Sequence, residues 1–136
     1  MFVNSLYVTT AIIEAGAGLA LLCLPSRAAK LLLATPLQEP AACTVARVGG
    51  AGLLALGVAC WLARNDTESS AARALVIALV IYNLVVALVL AAAGLRSQPV
   101  GIILWPAVVL HTAMTAWCVV SLRHPSIAQR RRDLQQ

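Results

Sequence analysis

The sequence predicts an all-α fold: an integral membrane four-helix bundle with a short interfacial helix between the first and second spans. Three observations predict it. Hydrophobic residues fill 61% of the 136 positions and charged residues only 11%, where soluble domains carry roughly 45–50% and about 25%. The apolar residues gather into four runs of about 20, the length that crosses a bilayer. The Lys and Arg residues stand mainly at the ends of those runs, as topology signals and headgroup contacts do. A single transmembrane domain over 1–136 follows, because four spans with short loops leave no chain for a second. The same placement of bases turns the net charge of +5 away from nucleic acid and toward the lipid bilayer as partner.

The first span is expected over about 6–24, with Glu14 at its middle and Pro25 closing it. The opening Met1-Phe-Val-Asn-Ser5 lacks a basic n-region, and Leu22 before Cys23 is too large for a lipoprotein cleavage site, so this segment is expected to be retained. In the connector Pro25–Pro40, Ser26 is expected to cap a short helix over Arg27–Ala34, its bases toward water and its leucines toward lipid. Pro40 suits a first helical turn, where its missing N–H costs nothing, and opens a second span over about 41–63. The polar turn Arg64–Ser70 ends on Ser69 or Ser70, either of which can cap the third helix. That third span, about 71–95, contains an unbroken uncharged run from Ala74 to Leu95. The fourth covers about 100–122, and a polar tail of 123–136 follows. Small residues at four-residue spacing (Ala46 with Gly50, Ala51 with Ala55 and Ala59, Ala87 with Ala91) favour close helix approach in lipid.

Arg64, Arg73, Arg123, Arg130, Arg131 and Arg132 fall on the side of the termini, against Arg27, Lys30 and Arg96 on the other. This asymmetry predicts cytoplasmic termini. Arg130, Arg131 and Arg132 are expected to contact anionic lipid headgroups.

Glu14, Asn83 and His111 fall near the bilayer midplane, and Arg47 lies about 9 Å inside the second span. Buried charges in a bilayer seek the bundle interior and a partner, so Glu14 and Arg47 are expected to pair, and Tyr82, whose hydroxyl needs a partner at the same depth, joins the cluster. Two readings stay open. In one the cluster of Glu14, Arg47, Tyr82, Asn83 and His111 is a structural ion pair with interhelical hydrogen bonds; in the other it is a ligand or proton site. His111 has no second intramembrane His beside it and Cys118 is distant, so no metal site and no cofactor are expected. None of the four cysteines forms a Cys-x-x-Cys pair. Cys23 and Cys43 fall near one end of the first two spans and are candidates for a disulfide in an oxidising compartment; the alternative is free thiols that pack as small apolar groups. The chain has no phosphate-cradling Gly-Lys-Ser/Thr loop and no Gly-x-Ser-x-Gly, so soluble-enzyme patterns are missing and nucleotide-driven chemistry is not expected.

A polar residue in the first span, a Pro-bounded connector, and Ala46-Arg47-Val-Gly49-Gly50 opening a Leu- and Gly-rich second span together resemble the small DoxX-like four-span bacterial membrane proteins. That resemblance implies a four-helix fold in the bacterial inner membrane and carries over no catalytic residue. The lone carboxylate in Ala11-Ile-Ile-Glu14-Ala is similar to the coupling carboxylate of small multidrug-resistance exporters, although this chain adds a long connector and Arg47. The mixture of Glu, Asn, His and Trp is similar to that of four-span membrane sterol isomerases. The leading expectation is a non-enzymatic inner-membrane protein, an accessory subunit or small hydrophobic-ligand binder, with a membrane-protein partner or a second copy of itself. A proton-coupled exporter using Glu14 is the alternative, and a membrane-embedded isomerase the third.

Overall fold

The computed structural model describes residues 2–66, 68–96 and 99–123; the tail arginines Arg130, Arg131 and Arg132 lie outside them. These residues form five helices and no strand: α1 (Phe2–Cys23), α2 (Pro25–Leu33), α3 (Pro40–Ala63), α4 (Ser70–Arg96) and α5 (Leu104–Arg123). All but α2 are long and apolar enough to cross a membrane, and they are apolar nearly all round. Val45, Val48, Leu62, Ile81, Leu88 and Val109 point outward and exposed, as a lipid-facing surface requires. The inward faces bury Leu6, Tyr7, Cys60, Leu79 and Cys118 in one core.

The long helices form two pairs, α1 packing chiefly on α3 and α4 on α5. Glycine sets the first pairing. A Cβ on Gly18 would stand 2.7 Å from the Gly50 carbonyl oxygen, and one on Gly57 would stand 3.0 Å from the Ala11 oxygen. Backbone therefore meets backbone, the close approach that small residues permit in lipid. The Ala51, Ala55 and Ala59 stripe, by contrast, faces outward and takes no part in this contact.

Helix boundaries follow local chemistry. Pro40 opens α3 as expected. Ser26 does not cap α2: the helix begins at Pro25, two residues before the expected Arg27, and the Ser26 hydroxyl donates to the Leu37 carbonyl at 3.1 Å, tying the connector back on itself. Proline is preset for the first turn and displaces the start. Helix α2 ends on Ala34 in the left-handed region (φ 60°), whose N–H bonds the Lys30 carbonyl. The fourth span starts later than hydropathy suggests, at Leu104, because Ile103 N–H donates to the Leu31 carbonyl at 3.2 Å and the loop is drawn onto α2.

Ser69 caps α4: its hydroxyl accepts the Ala72 N–H at 3.0 Å and donates to Asp66. The Ser69 hydroxyl and then its N–H hold the Asp66 carboxyl below the usual carboxylate range. Ser69→Ala should cost about 1 kcal/mol, read as a lower unfolding midpoint in detergent. A carboxyl lowered in the folded state stabilises above its unfolded pKa, and that contribution is lost as pH falls through the lowered folded value. The difference between wild type and Asp66→Asn should therefore shrink on acidification below about pH 4.

Candidate functional site

The polar residues near the middles of the long helices meet where the two helix pairs face each other. Glu14 on α1 is 3% exposed and Asn83 on α4 is 1% exposed. The Tyr82 hydroxyl donates to Glu14 Oε2 at 2.8 Å, crossing from α4 to α1. The Tyr82 ring meets His111 on α5 edge to face, with centroids 5.8 Å apart, a favoured aromatic geometry.

Asn83 sets the state of the histidine. Its Nδ2 donates to the Leu79 carbonyl at 2.8 Å, so its Oδ1 is the atom facing His111 Nδ1, 2.8 Å away. An amide oxygen only accepts, so Nδ1 carries the proton and, in the neutral ring, Nε2 keeps the lone pair. That nitrogen makes no hydrogen bond among the described residues. Thr115 completes the local network, its hydroxyl donating to the His111 carbonyl at 2.8 Å.

Thr10 lies one turn before Glu14 on the same helix face. Its Oγ1 is buried and has no hydrogen-bond partner among the described residues, whereas Thr44, Thr112 and Thr115 each donate to the carbonyl four residues back. A buried hydroxyl without a partner in lipid is costly and calls for a water or ligand group.

Arg47 is not part of this cluster. It is exposed, and its Nε donates to the Leu22 carbonyl at 3.3 Å, at the last turn of α1. Leu22 is about 12 Å along the axis from Glu14. The cause is twofold: a long basic side chain reaches for the water interface, and the end of α1 offers it unpaired carbonyls and the negative end of a helix dipole. Glu14 therefore has no cationic partner among the described residues. Nor do Cys23 and Cys43 form a disulfide: both are free thiols, and Cys43 Sγ is directed to the Leu37 carbonyl at 3.9 Å.

Nothing in hydropathy singles out Tyr7, yet it belongs to the same face. Its hydroxyl donates to the Ala72 carbonyl at 2.6 Å, a second bond from α1 to α4. The available signal is its spacing, two helical turns before Glu14 on one stripe. No three His, Cys, Asp or Glu residues are grouped to hold a metal ion among the described residues.

The arrangement places a carboxyl group, a phenol, an imidazole lone pair and an unpartnered hydroxyl within about two turns of one another along the helices. Such a cluster can take a cationic or hydrogen-bond-donating head at Glu14, or pass a proton among its members. No protein-family model, curated protein or solved structure matches the chain.

Proposed function

We propose that this chain is a non-enzymatic four-span protein of the bacterial inner membrane that holds a small amphipathic ligand, its cationic or donor head against Glu14 and its apolar body among the helices. The observation that carries this reading is a deeply buried carboxyl bonded to a tyrosine hydroxyl and to no cation among the described residues. Intramembrane ionisable groups of that kind are functional by default, and the structural alternative depended on Arg47. Thr10 supports the same reading with a second polar atom awaiting a partner. The DoxX-like layout and cytoplasmic termini belong to this proposal.

Binding of a lipophilic cation, tetraphenylphosphonium, to the detergent-purified protein tests it. Glu14→Gln should weaken binding at least tenfold, the equivalent of about 1.4 kcal/mol, while Arg47→Gln should leave it unchanged. Equal binding by wild type and Glu14→Gln would sink the proposal.

A second reading, the proton-coupled exporter, is favoured by the position of Glu14 between the two helix pairs. In sealed vesicles that reading requires Glu14-dependent proton movement when the cation is added, whereas a binder moves none.

A further inference from the structure

We infer that a recess at the end of the bundle remote from the N-terminus binds one anionic glycerophospholipid, its phosphate held by Arg96 and Thr35. The recess has a volume of about 520 Å³ and lies between the end of α2, the end of α4 and the start of α5, with Leu33, Ala93, Val100 and Leu104 among its walls. That volume is in the range of small-ligand sites. All three helix ends belong to spans or to the interfacial helix, so the recess opens at headgroup depth with apolar walls continuing toward the hydrocarbon.

Its frame is held by backbone contacts. Ile103 N–H bonds the Leu31 carbonyl, and Gly101 lies so close to that carbonyl that a Cβ has no room. The left-handed Ala34 sits between the two lining residues Leu33 and Thr35.

Charge selects the occupant. Among the described residues Arg96 is exposed and makes no ion pair, and the same end of the helices carries Arg27, Lys30 and the Arg47 head against the one carboxylate Glu39. A net-negative phosphate ester satisfies that excess, whereas a zwitterionic headgroup brings its own cation and gains less. The recess is separate from the Glu14 cluster and stands or falls independently of it.

Native mass spectrometry of the full chain in mild detergent, titrated with phosphatidylglycerol, tests this inference. One phosphatidylglycerol should be retained in preference to phosphatidylcholine. Arg96→Gln should lower the affinity for that copy about fivefold, the effect of one base near an anionic headgroup. Ala93→Phe, which fills the recess and leaves the charge in place, should do the same, and Arg73→Gln at the other end should not. Equal retention of phosphatidylcholine, unchanged binding by both recess variants, or displacement by millimolar inorganic phosphate, which would mark a free-anion site, each overturns it.

Discussion

Gly50→Ala should separate α1 from α3 and lower stability by about 1–3 kcal/mol, the usual cost of overpacking. The added Cβ would stand 2.8 Å from the Gly18 oxygen and 3.0 Å from the Leu22 nitrogen. Both are backbone atoms, so no rotamer change relieves the contact and the helices must move apart. Gly18→Ala meets the Gly50 oxygen and Leu54 nitrogen at 2.7 Å and should behave alike. Gly52, where an added methyl would have nothing within 4 Å, is the control: Gly52→Ala gains helix propensity, up to about 1 kcal/mol, and should be neutral or stabilising. Equilibrium unfolding in mixed micelles reads all three, and equal stability of Gly50→Ala and Gly52→Ala would refute the backbone-contact account.

Asn83→Leu should cost about 1–2 kcal/mol, the upper part of the range for interhelical hydrogen bonds in membranes, because it removes the acceptor that faces His111 and the donor to Leu79 together. Its diagnostic effect is on the imidazole. With Asn83 present, Nδ1 holds the proton; without it, nothing in the described network prefers that tautomer. Nitrogen-15 spectra of labelled His111 should show the Nδ1–H form in the wild type and a shift toward Nε2–H in Asn83→Leu. An unchanged tautomer would remove Asn83 from the role of setting it.

The four long helices are legible in the sequence because bilayer thickness imposes a length and an apolar composition, and both are written residue by residue. Depth along each span is legible for the same reason: counting places Glu14, Tyr82, Asn83 and His111 in one layer, and the structure joins Glu14 to Tyr82 and His111 to Asn83. Counting does not tell which way a long side chain leans. Arg47 lies at a depth from which its guanidinium could reach inward or outward, and the open carbonyls at the end of α1 decide the matter. Facing is equally hidden when helices are apolar on every side. Gly50 and Gly52 read alike in sequence, yet one is buried against Gly18 and the other meets open space. The start of α5 escapes hydropathy because a hydrogen bond from Ile103 to a distant carbonyl leaves no trace in local composition.

The bonds by which α1 meets α4 have a mechanical consequence. Within the α1–α3 pair, backbone lies on backbone and cannot slide without separating. Between the pairs, two phenol hydroxyls reach across from opposite sides: Tyr7 from α1 to Ala72, and Tyr82 from α4 to Glu14. Two phenol bonds thus cross between the pairs beside the apolar core that the pairs share, and one of them closes on the Glu14 carboxyl itself. A ligand or proton that takes Glu14 from Tyr82 would break one of the two tyrosine bonds between α1 and α4 and leave Tyr7–Ala72 as the other.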